Sequence, residues 1–187
     1  MEFVEPIKEI KTIKQIQKIL QERSTRDYLF FVLGINTGIL VSHLLKMKVK
    51  DVYDGIHIRE YFVLQEDKKS AEKYFYLNEK VRKALEDYFH ESGLKEEEYL
   101  FKSQKNNLPI TRQQAYRIIN KVAREAGVSS PIGTHTLRKT FGYHAYRKGV
   151  AISLLQSIFH HATRAETLRY IGIQKEEVFK VQIDVNL

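Results

Sequence analysis

The octapeptide YLFFVLGI, Tyr28 to Ile35, constrains this chain more than any other stretch. Helical spacing spreads its apolar side chains over most of the helix surface, so little of that surface is left for water. Such a helix has to lie at the centre of a core, with other elements wrapped around it. It is far short of the ~20 apolar residues that cross a bilayer, and no longer apolar run exists. The reading is a core helix from about Asp27 to Asn36, broken at "NTG".

The rest of the chain supplies what surrounds it. Ile13, Ile16, Ile19 and Leu20 recur at helical spacing within residues 12–22. After the break, "VSHLLKM" predicts a short helix. From Val49 to Leu77 the texture changes. "IHIREYFVLQ" and "KYFYL" are β-branched and aromatic, with the polar "EDKKSAE" between them. They predict a β-hairpin, or a three-stranded sheet whose first strand begins near "KVKDV". Asn78 is placed to cap a helix reaching about Glu91. Thr111 and Gln114 form a capping box, Ala115, Ile118, Ile119 and Val122 an apolar stripe, and Gly127 a stop. Three further helical segments are expected at 135–147, 152–159 and 164–171, followed by a tail, 176–187, that is alternating or weakly helical and docks in cis or in trans. The fold class is mainly α with a small antiparallel β-sheet (α+β). With no linker, repeat or low-complexity tract, one domain over 1–187 is the economical reading.

Charge narrows the partner. Thirty-one Lys and Arg against 23 Asp and Glu leave +8, an excess that favours a polyanion, most commonly nucleic acid. Simple solvation of a basic surface is the competing reading. The absence of cysteine excludes disulfides, Cys-zinc sites and thiol nucleophiles. The opening "MEFVEPIKEI" has no apolar signal core, so a cytoplasmic, nucleoid-associated location without membrane contact is expected.

One constellation stands out. His135 and Arg138, in "THTLRKTFGYHAYRKG", lie three residues apart and share a helical face. His161 follows in "LLQSIFHHAT" and Tyr170 in "AETLRYIGI". Adjacent His160 and His161 point about 100° apart on a helix, and no H-E-x-x-H spacing accompanies them, so no metal is expected. The ordered set H-x-x-R, histidine, tyrosine resembles the tyrosine site-specific recombinases (phage-type integrases), and the likeness runs from about residue 10 to 175.

That resemblance implies a DNA breaking-and-rejoining catalytic domain. Tyr170 is the implied nucleophile that forms a 3′-phosphotyrosyl bond, conserving the phosphodiester energy. Arg138 supplies a forked, permanently charged phosphate contact. His161 donates to a non-bridging oxygen, and His135 helps move the tyrosine proton. No cofactor is implied, because cations stand in for a metal. The family also uses a hairpin lysine as general acid. Counting back from Leu77 through "YFY" lands on Lys68, with Lys69 and Lys73 as neighbours and a solvated turn lysine as the alternative reading. Lys69, Lys73, Arg112, Arg117, Lys121, Lys139, Arg147 and Arg164 are the expected DNA-binding cations, and phosphate contacts of this kind make affinity fall steeply with salt. Double-stranded DNA is the implied partner, with self-association on it as a dimer or tetramer in synapsis.

The pattern breaks in one place. Where the family has a T-G-L-R-like motif, this chain reads "TGILVSHLL", so Leu40 occupies the position of the first catalytic arginine and His43 that of a supporting acid. Leucine donates no hydrogen bond, and losing one transition-state donor costs about 10²–10³ in rate. His43 and Arg164 are the sequence's rescue candidates. The family's usual N-terminal clamping domain has no counterpart ahead of residue 10. Impaired strand exchange on phage or other mobile-element DNA is therefore expected. A catalytically inert DNA-binding homologue and a type IB-like topoisomerase are the alternatives.

Overall fold

The computed structural model describes residues 4–65 and 71–174. Helix α1 (Ile10–Arg23) buries Ile13, Ile16 and Leu20 on one stripe. Ser24 then accepts a hydrogen bond from the Asp27 backbone and starts α2 (Thr25–Thr37) two residues earlier than the apolar pattern predicts. Helix α2 is the central element. Every residue from Tyr28 to Gly34 is buried, and α1, α5 and α7 all pack against it. Phe30 and Phe31 are fully enclosed, each stabilising the fold by roughly 1.5–3 kcal/mol through burial. Gly34 lets α7 come close, since a Cβ there would meet Leu137 at 2.6 Å.

Gly38, with φ of 67°, turns the chain out of α2 into two single-turn helices, α3 (Val41–Leu44) and α4 (Val49–Val52). The second corrects the strand expected at "KVKDV". The Asp51 carboxylate accepts from the Lys48 backbone at 2.8 Å and folds those residues as a capped turn. Among the described residues the sheet is two-stranded. Strand β1 (Tyr61–Leu64) pairs antiparallel with β2 (Lys73–Tyr76), Phe62 opposite Phe75. Residues 56–60, also expected to be extended, form bends and a bridge in which Ile58 pairs with Tyr53.

Asn78 caps α5 (Glu79–Ser92) and also donates to Asn36 of α2 at 2.9 Å, joining the hairpin exit to the central helix. Helix α6 (Arg112–Glu125) begins with the expected Thr111–Gln114 capping box. The last helices are α7 (Thr134–Arg147), α8 (Ile152–Phe159) and α9 (Arg164–Tyr170). The buried side chains form two clusters. The larger surrounds α2, and the smaller holds Tyr143, Leu155, Phe159, Ile171 and Ile173 beneath α7, α8 and α9. The N-terminal segment ahead of α1 lies across α7, where the Ile7 backbone donates to Thr140 Oγ1 at 2.9 Å and the Ile7 carbonyl lies 2.9 Å from His144 Nε2. No helix among the described residues is long and apolar enough to cross a membrane.

Candidate active site

Helix α7 carries the centre of the site. Arg138 is only 8% exposed, so its charge must be met from within the fold. Its Nη1 donates to the Gly38 carbonyl at the end of α2, and its Nη2 to the Ile158 carbonyl of α8 at 2.9 Å. The guanidinium also lies 4.7 Å from the Phe159 ring centroid. Three segments far apart in sequence are thus tied to one cation. The close approach depends on Gly38, where a Cβ would sit 2.4 Å from Phe141.

Tyr170, the last residue of α9, reaches this cation. Burial pushes its phenol up from the ordinary tyrosine value, and the Arg138 guanidinium opposes that rise by charge and hydrogen bonding. The Tyr170 ring is walled by Phe159 at 5.2 Å and by His161, edge-on, at 4.8 Å between centroids. Lys139 Nζ stands 5.1 Å from the same centroid.

His161 owes its orientation to the end of α8. His160 adopts φ of 59° as the C-cap, a left-handed conformation unusual for a residue with a side chain. The turn swings His161 over α9, where its Nδ1 lies 3.1 Å from Thr167 Oγ1. The Thr167 hydroxyl donates its one hydrogen to the Thr163 carbonyl at 3.2 Å. Nδ1 therefore bears the hydrogen in the neutral ring and donates to Oγ1, which leaves Nε2 as the basic nitrogen. Burial lowers the His161 pKa from the ordinary histidine value, with Glu166 opposing. His135, in the first turn of α7, is lowered as well, by burial first and then by Arg112, Lys139 and Arg138.

A cleft of about 20 Å³ opens beside these groups, lined by Leu40, Ser42, Arg112, His135 and Arg138 among others. Leu40 therefore does stand next to Arg138. The rescue candidates do not line it. His43 lies on α3 outside the lining, and Arg164 is exposed at the start of α9. The cation that lines it together with Arg138 is Arg112, which sequence reasoning placed only on the general DNA-facing surface. A helix start bearing a cation was legible, but its convergence with Leu40 depends on how α6 packs.

The model of the phage integrase family matches residues 8–177. The chain belongs to the phage integrase family. It is 38% identical over 176 residues to the probable integrase/recombinase YoeC of Bacillus subtilis, covering 94% of this chain and 93% of that one. Other tyrosine recombinases, at 25–32% identity, are spanned over only 54–61% of their length. Among solved structures, XerA recombinase superposes with a TM-score of 0.74 at 24% identity, covering 95% of this chain and 61% of that one. A lambda integrase fragment in a dimer bound to a core site gives 0.68 at 18% identity, with 98% and 65% covered. The fold is that of the tyrosine recombinase catalytic domain.

The remaining sequence-predicted residues of this integrase-family chain fall in several places. Lys68 and Lys69, and the tail from residue 176, lie outside the described residues. Lys73 is half-buried at the start of β2. Arg112, Arg117 and Lys121 are exposed along α6, and Arg147 at the end of α7. Lys139 is a correction. Only 6% exposed, it points inward and donates to the Val4 carbonyl at 2.8 Å, so it does not belong to the outer cationic surface. No group of three or more metal-ligating side chains occurs among the described residues.

Proposed function

We propose that this chain binds double-stranded DNA and cleaves and rejoins it, with Tyr170 as the nucleophile. The observation that carries this reading is the placing of the Tyr170 phenol against the buried Arg138 guanidinium, with His161 on its ring. In the step, the phenol oxygen bonds to phosphorus and the bond from phosphorus to the 5′-oxygen breaks. The phenol gives up its proton and the departing 5′-oxygen takes one, leaving a 3′-phosphotyrosyl linkage and a free 5′-hydroxyl. Reversal restores the strand without an external energy source. A DNA phosphate entering beside His161 raises that imidazole's pKa, so Nε2 acquires a proton and donates to a non-bridging oxygen. His135, three residues before Arg138 on α7, serves the phenol proton. The lysine at 68 would protonate the 5′-oxygen, and copies of the chain associate on the DNA to exchange strands.

Leu40 favours a second reading, a DNA-binding homologue that does not cut, because it offers no donor where the family has an arginine. One experiment decides. Labelled duplexes are selected by binding from a pool randomised across the core, nicked so that the short fragment bearing the free 5′-hydroxyl escapes, and run on a denaturing gel. A covalent adduct absent from Tyr170→Phe is the expected result. Binding without adduct, in both proteins, overturns cleavage and leaves the non-cutting reading.

A further inference from the structure

We propose that Arg112 supplies the phosphate contact that Leu40 cannot, so that the missing guanidinium enters the site from α6 instead of from the turn after α2. This rests on the cleavage reading above and identifies a further catalytic residue within it.

The cleft between these elements has the chemistry of an anion site. Arg112, Arg138 and His135 line it and no carboxylate does. At about 20 Å³ it has the room that roughly one water-sized oxygen requires, the size of one non-bridging phosphate oxygen. Leu40 contributes an apolar wall. Arg112 makes itself felt across the cleft, since its charge disfavours protonation of His135 more than Arg138 does.

Of the two arginines that line the cleft, Arg112 is the one with capacity to spare. Arg138 spends two donors on carbonyls, whereas the Arg112 side chain has no hydrogen bond or ion pair among the described residues. Its backbone is nonetheless fixed, because the Thr111–Gln114 capping box pins the first turn of α6 and Ala115 behind it is fully buried. A fixed root with an unengaged fork suits a group whose partner arrives with the substrate.

The test is a two-by-two cycle of Leu40→Arg and Arg112→Ala, using the nicked duplexes described above at saturating protein, with Tyr170→Phe as the blank. The parent forms adduct, and Arg112→Ala lowers the cleavage rate about 10²-fold, with a smaller change in affinity for uncut duplex. In the Leu40→Arg background the same removal costs less than about fivefold, because either arginine fills one role. The inference alone is overturned if the parent forms adduct but its rate ignores Arg112, or if Arg112→Ala costs the same factor in both backgrounds. If the parent gives no Tyr170-dependent adduct, the cleavage reading falls and the role of Arg112 falls with it, whether or not Leu40→Arg cuts. Arg112 is exposed and unpaired, so an unchanged melting temperature in Arg112→Ala confirms that rate, not folding, was measured.

Discussion

At the scale of single residues, the site is governed by who holds the hydrogens. Thr167 is fully buried, and its hydroxyl fixes the tautomer of His161 by giving its own hydrogen to Thr163. Thr167→Val keeps the volume and removes the acceptor for Nδ1–H. The expected cost is about 1 kcal/mol of stability, with the rate of adduct formation about tenfold lower, or roughly 1.4 kcal/mol on the barrier, and little change in DNA affinity. Thermal melts, gel shifts and single-turnover cleavage read the three quantities. Thr167→Ser should recover most of the rate, which a purely packing role would not allow. The candidate nucleophile and its cation were legible in the sequence because H-x-x-R and a downstream tyrosine keep their order along the chain. Arg112 was not. It differs from Arg117 and Lys121 only in where its side chain ends, and that is decided by the packing of α6 against α7.

Among elements, the decisive contacts are close backbone approaches. Gly142 sits mid-helix in α7, where a methyl group would meet Ile171 Cγ2 at 2.6 Å and Phe159 Cζ at 2.7 Å. Both neighbours belong to the small cluster under Tyr170. Gly142→Ala therefore forces α8 and the α9 exit outward. Overpacking of this kind costs about 1–3 kcal/mol, partly offset by alanine's better helix propensity. A lower melting temperature together with loss of adduct is expected, and an unshifted melt with full cleavage would show that the cluster yields freely. Long amphipathic elements were readable in the sequence, since α1 declares itself by its stripe, α5 by its cap and α6 by both. The one-turn helix α4 was not, because four residues are too few to show a period. The Lys48–Asp51 turn that folds them depends on a side chain closing on a backbone amide.

For the whole molecule, burial of neutral histidines sets the acid limit. His135 and His161 are both lowered in the folded state, while their unfolded value stays near ~6.5. Below that pH the unfolded chain binds more protons than the folded one, so stability falls as pH falls. On the alkaline side Tyr88, pushed up to about 12 by burial, reverses the balance. The unfolded phenol ionises near ~10, and stability declines as pH rises from there. Melting temperatures across pH should pass through a plateau near neutrality, and His135→Asn should flatten its acid shoulder. A profile flat to pH 5 would contradict the burial of both imidazoles. The N-terminal segment that lies across α7 carries a different consequence. The Val4 carbonyl holds Lys139, whose ammonium lies over the Tyr170 ring, and Pro6 abuts Gly172 just past that tyrosine. Anything fused ahead of Val4 therefore pulls on the surroundings of Tyr170, and an affinity handle joined at that end is not an innocent choice.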